Sequence, residues 1–177
     1  RSFWQGLVLA GLVSLIGLVG YWQMMNETLA IVLAAVSISL LLGFPLGVLF
    51  SIVNDKYFLP LLDAMQTMPT FVYMIPAVML LGPGKVPAVL ATVVYAVVPL
   101  IRLTSHGIRH VDSAMVEAAQ AFGSSRWQIL WKVQLPQARA TIMTGVNQTL
   151  LMAVAMVVTC SMIGANGLGM EVLIAIN

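Results

Sequence analysis

Long apolar runs separated by short polar patches set the rhythm of this chain. A membrane-crossing helix needs about 20 mostly apolar residues. The first such run, 3–22, carries aromatic residues at both ends, where interfacial anchors belong. The polar patch Gln23 to Glu27 closes it. The second run, 28–53, contains Gly43, Pro45 and Gly47. Membrane helices tolerate such breakers because neighbouring groups re-satisfy the backbone. Asn54, Asp55 and Lys56 form a polar turn. The third run, 61–81, opens on a polar, kinked stretch from Asp63 to Pro69. Gly82-Pro83-Gly84-Lys85-Val86-Pro87 is a turn by composition. The fourth run is 88–101 and the fifth 140–163, with the longest polar stretch, 102–136, between them. The tail, 164–177, is Gly-rich and then amphipathic. The pattern predicts an all-α, polytopic transmembrane bundle of kinked helices with five visible spans.

Composition agrees. Of the 177 residues, 60% are hydrophobic and 8% charged, against about 25% charged in soluble domains. A net charge of +2 gives no case for nucleic acid. The single cysteine, Cys160, excludes an intramolecular disulfide and reads as a small buried apolar residue. The first run is followed by no small-residue cleavage site and reads as a retained span.

The placement of the basic residues orients the chain. Arg102, Arg109, Arg126, Lys132 and Arg139, five of the eight, lie in or beside the long polar stretch. The positive-inside rule makes that stretch cytoplasmic. Counting spans back puts Lys56 and Arg1 inside as well, and leaves Lys85 outside as the one exception. Asp63 falls near the cytoplasmic end of its span, within reach of pairing with Arg102.

Inside the polar stretch, Asp112 or Ser113 suits a helix N-cap, and Gly123 suits the left-handed residue that ends one. Met115, Ala118, Ala119 and Phe122 share one stripe at helical spacing, with Ser113, Glu117 and Gln120 on the other side. A second helix begins at Ser124 or Ser125, with Trp127, Leu130, Trp131 and Leu135 apolar and Arg126, Gln128 and Lys132 opposite. Pro136 is expected to break or kink the chain. Two short amphipathic helices at a membrane face serve equally well as an interfacial layer or as a docking surface, and these residues leave both open.

Glu117-Ala118-Ala119, with Gly123, Val133 and Leu135-Pro136 at their spacings, resembles the EAA loop of ABC importer permeases, with Val133 where the family has Ile. Leu61 to Pro69 followed by Phe71-Val72-Tyr73 is similar to the glycine betaine/proline betaine permeases of that family. So are Lys132 to Pro136, Gly145 to Leu150, Ser161-Met162-Ile163 and Gly167-Leu168-Gly169. The resemblance implies a type I ABC importer permease, a single transmembrane domain over 1–177 in the bacterial plasma membrane. The loop would be its coupling helix, with Glu117, Ala118, Ala119, Phe122, Gly123, Val133, Leu135 and Pro136 at or beside the ATPase contact. It further implies two ABC ATPase subunits, a second permease copy and an extracytoplasmic binding protein or domain. ATP and Mg would sit on the ATPases and no cofactor on this chain. A further span would follow Asn177. The subfamily also handles choline and carnitine, so the resemblance implies glycine betaine or a related osmoprotectant without fixing one solute, and an ABC importer permease for choline, carnitine or another small solute is the alternative.

A carrier for such a cation can offer aromatic faces and amides in place of charge. Phe71, Tyr73 and Tyr95 supply the first; Gln66, Thr67, Asn147, Gln148 and Thr149 supply polar groups, and Met68-Pro69 a kink. The same amides and hydroxyls serve equally as interhelical glue. His106 and His110 have metal-compatible spacing but no third ligand in the sequence, so no metal is expected. No phosphate-cradling G-x-x-x-x-G-K-[ST] motif and no nucleophile–base set occurs, so the chain reads as no enzyme. A channel or membrane anchor without ATP coupling is the rival of a different class.

Overall fold

The structure, a computed structural model, describes residues 2–53 and 55–176. Arg1, Asn54 of the polar turn and Asn177 lie outside the described residues, as do the side chains of Asp55 and Lys56. Among the described residues nine α-helices follow in order: α1 (Ser2–Leu18), α2 (Trp22–Ile52), α3 (Asp55–Thr67), α4 (Phe71–Leu81), α5 (Lys85–Arg109), α6 (Ser113–Ala121), α7 (Arg126–Ile129), α8 (Leu135–Cys160) and α9 (Leu168–Ile176). A π-turn, Leu130–Gln134, joins α7 to α8, and a 3-10 turn, Ser161–Ile163, follows α8. No strand occurs among the described residues.

Three described helical stretches are long and apolar enough to cross a membrane: α2, α5 and the continuous Arg126–Ile163. A fourth counts if α3 and α4 form one broken span. The segment α1 falls just short in length, and nearly all its side chains are exposed.

The centre of the bundle is α5, held between α2 and α8. In lipid there is no hydrophobic drive between helices, so close backbone approach and van der Waals contact hold them together. Glycines make that approach. A Cβ on Gly47 would lie 2.6 Å from Cβ of Thr104, and one on Gly43 2.9 Å from a methyl of Leu100. On the other side a Cβ on Gly145 would lie 3.3 Å from Cα of Leu100, and one on Gly107 3.0 Å from Cβ of Thr141. Leu100 and Val98 of α5, Met74 of α4 and Met156 of α8 are wholly enclosed.

The chain departs from the sequence pattern at four places. The run 61–81 is two helices bent by 85°, because Pro69 lacks an N–H and biases Met68 away from helical dihedrals. The Tyr73 hydroxyl donates to the Met65 carbonyl and braces that elbow. Trp22, expected to end the first run, begins α2 after a turn at Gly20, so the polar patch 23–27 is helical. The polar stretch expected from 102 begins only after Arg109, because polarity marks water and not a helix end, and Gly107 is still needed against α8. Finally, Pro136 causes no break. It sits in the first turn of α8, and the widened π-turn before it accommodates the carbonyl its ring crowds.

Candidate functional site

The α6 segment is built by local chemistry. The Asp112 carboxylate accepts the Ala114 N–H at 2.9 Å and opens the helix. At the far end the Gly123 N–H bonds the Gln120 carbonyl at 2.8 Å and the Ser124 N–H bonds the Ala119 carbonyl at 3.1 Å. This paired closure needs a left-handed residue, and Gly123 has φ +79°. Two residues on, Ser125 and Gln128 exchange side chain and backbone bonds in a capping box that starts α7. The turn between the two helices is therefore fixed at both sides.

No residue of α6 is buried. Met115 and Phe122 of its apolar stripe are exposed, Phe122 at 91%, and Ala119 is half-buried. Glu117 and Ala118 are also exposed, as are Trp127 and Trp131. Between α6 and the bundle lies a cavity of about 490 Å³, walled by Val116, Gln120, Trp127 and Ile108 among others. The structure thus brings Glu117, Ala118, Ala119, Phe122 and Gly123 together on one uncovered ledge. Val133 and Leu135 do not join it. Leu135 is buried against Ile108, Leu130 and Ala138, and anchors the ledge to the bundle.

The ledge stands at the end of the bundle where α2 and α5 also end. Arg109 ties them: its guanidinium donates to the carbonyls of Ser51 (3.1 Å), Phe50 and Val53. A cation at the C-terminal end of α2 also meets the negative end of its dipole. Arg102 pairs with Asp63 as expected. At the opposite end, Lys85 bridges to Glu27 at 3.2 Å. The one exception to the basic-residue pattern is therefore neutralised by a neighbour. There too the Thr28 hydroxyl accepts the Leu168 N–H at 2.9 Å and closes α9 over α2.

The candidate pathway residues scatter over several surfaces. Tyr73 and Tyr95 meet with ring centroids 6.2 Å apart. Gln66 is half-buried; Thr67, Met68, Pro69 and Phe71 are exposed around the elbow. Asn147 and Gln148 are exposed on α8, while Thr149 is wholly buried with a hydroxyl that has no partner among the described residues. Consecutive helical residues lie about 100° apart, so these three cannot share a face. His106 and His110, expected in a loop, stand at the C-terminal end of α5 with rings 3.8 Å apart. Sequence reasoning missed the Arg109 clamp and the π-turn.

The family described as binding-protein-dependent transport system inner membrane component matches residues 39–177. This chain belongs to that family. It is 48% identical over 175 residues to the glycine betaine/carnitine transport permease protein GbuB of Listeria monocytogenes, covering 97% of this chain and 62% of the relative. It is 50% identical over 178 residues to the glycine betaine/proline betaine transport system permease protein ProW of Escherichia coli, covering 96% of this chain and 50% of the relative. The chain thus spans between half and just over three fifths of the length of these relatives. An inward-facing crystal structure of the MetNI methionine ABC transporter superimposes with a TM-score of 0.70 at 26% identity, over 81% of this chain and 74% of that one. A second crystal form gives 0.75 at 23% identity, over 85% and 77%. The fold of this inner-membrane transport component is accordingly that of a type I ABC importer permease.

Proposed function

We propose that this chain is the permease subunit of an ATP-driven importer for glycine betaine or a related quaternary amine, and that α6 is where the ATPase engages it. The observation that carries the coupling role is the ledge itself: a helix capped at both ends, ended by a left-handed glycine and bearing an uncovered apolar stripe. Monomeric surfaces seldom leave such a stripe bare unless something docks on it. A helix held this firmly can pass a push from one subunit into α5 and α8 through Leu135 and the π-turn. ATP binding then favours one of two pathway states by binding it better, which is how any ligand shifts an equilibrium.

In this reading the ledge, the ends of α2 and α5, and Arg1 face the cytoplasm, and ATP and Mg stay on two ATPase subunits. The chain 1–177 is one transmembrane domain. Exposed amides in a spanning helix are costly against lipid, so Asn147 and Gln148 face a second permease copy or the solute path. Phe71, Tyr73 and Tyr95 offer ring faces to a quaternary ammonium group. An extracytoplasmic binding protein delivers the solute. The printed names of the relatives support a betaine-type solute, with carnitine beside it.

Cys160 is buried and is the chain's one cysteine, so Phe122→Cys gives a single accessible site for a photoreactive maleimide. In the assembled transporter the expected adduct is with the ATPase subunit. Adducts with lipid alone would assign the ledge to the membrane surface and remove the docking role.

A further inference from the structure

We infer that Arg109 is a positioning residue for coupling: given the docking role proposed for α6, it grips the end of α2 from the end of α5 and makes α2 move with the ledge. The push of the ATPase then enters a third spanning helix. Arg109 is the last residue of α5, and α6 begins at Ser113. Three of its partners are carbonyls at the end of α2. Its Nε donates to the Ser51 carbonyl at 3.1 Å, and a terminal nitrogen donates to those of Phe50 and Val53.

The end of α2 needs such a grip. The last turn of a helix has carbonyls with no partner inside the helix. Here the Ser51 hydroxyl donates to the Val48 carbonyl at 2.6 Å, while the Phe50 and Ser51 carbonyls go to Arg109. The last turn of α2 holds no basic residue of its own, and Val53 leaves it in an extended conformation. A cation from another helix meets the negative end of its dipole instead. Bonds from a guanidinium are of the strong, charge-assisted kind. Arg109 is half-buried, so water competes for them less.

The position of Arg109 gives the grip a mechanical consequence. Across the cavity of about 490 Å³, Val116 and Gln120 of α6 face Ser51 and Ile52 of α2. The connection runs round that cavity. Asp112 caps α6, Val111 packs into the cluster of Ile108, Leu130 and Leu135, and Arg109 reaches from there to α2. At its opposite end α2 is pinned again: Glu27 pairs with Lys85 of α5, and Thr28 holds the Leu168 N–H of α9. Its 31 residues span about 46 Å at the usual helical rise. Energetic coupling between distant sites is carried by such chains of hydrogen bonds and rigid elements.

The test uses the full transporter, with its ATPase and binding protein, in liposomes. It reads labelled glycine betaine taken up per ATP hydrolysed. Arg109→Gln should lower that ratio by about tenfold, within the usual span of coupling between sites, while ATP turnover persists. Arg109→Lys keeps the charge but loses the planar fork, and should recover only part of the ratio. The pair Ile52→Cys, Arg109→Cys should be uncoupled too. A short bis-methanethiosulfonate bridge between the two thiols, verified by intact mass, should restore the ratio, and the monofunctional reagent should not. An arginine that only holds the fold together would instead make uptake, ATP turnover and unfolding temperature fall together, and that result would overturn the clamp. So would an unchanged ratio in the folded glutamine variant, or a verified bridge that restores nothing. The Phe122→Cys adduct is scored alongside, with and without Arg109→Gln. An ATPase adduct beside an unchanged ratio removes the clamp alone; adducts with lipid alone remove the docking role and the clamp with it.

Discussion

Gly123→Glu leaves the chain folded and inserted yet lowers ATP-driven uptake by at least about 100-fold, equivalent to some 3 kcal/mol of lost coupling. Two features separate folding from function at this position. A Cβ on Gly123 meets nothing within 4 Å, so no steric clash arises inside the chain. The φ of +79° costs a residue with a side chain only about 1–2 kcal/mol, and it is confined to an exposed turn. What the substitution does change is the edge of the ledge beside Phe122, where the proposed ATPase contact would approach closely, and where a charge added to an apolar contact is left unpaired. Gly123→Ala isolates the conformational part and should lower uptake by roughly tenfold or less. Uptake is measured beside recovery of the ATPase with the permease. Unchanged uptake in the glutamate variant would remove the coupling role from this turn.

Gly47→Val acts in the opposite sense and destroys the fold before function is reached. Its Cβ would stand 2.6 Å from Cβ of Thr104 and 3.0 Å from the Ile101 carbonyl. Neither can move without separating α2 from α5. Overpacking a tight contact costs roughly 1–3 kcal/mol and more where backbone must shift, so thermal unfolding in detergent should drop sharply and monodisperse yield should collapse. Gly6→Val and Gly11→Val, whose Cβ atoms meet nothing within 4 Å, should leave both unchanged. Equal loss in all three variants would mean that close packing at Gly47 is not what holds the bundle together.

The sequence was most legible where structure is made by neighbours in the chain. Asp112 and Gly123 mark the ends of α6 because caps are local chemistry, and the stripe Met115 to Phe122 follows from helical spacing. The Asp63–Arg102 pair was legible from charge and depth. It was least legible where distant residues decide. Nothing near Arg109 says that it holds the last carbonyls of α2, and nothing near Pro136 says that a π-turn absorbs it. Helix α5 runs on to Arg109 through polar residues because Gly107 packs on α8, a contact 34 residues away between Gly107 and Thr141. The proposed solute path is the least legible of all. Asn147, Gln148 and Thr149 point to different surfaces, and under the proposed function which of them matters depends on the proposed second copy.

The most direct test of the account is uptake of labelled glycine betaine into liposomes holding the assembled transporter with its ATPase and binding protein. The account predicts accumulation that needs ATP, is cut by unlabelled glycine betaine and carnitine, and is absent when Gly123→Glu replaces the native residue. ATP turnover with no accumulation of any quaternary amine would contradict the proposed solute, and accumulation that ignores ATP would contradict the importer itself.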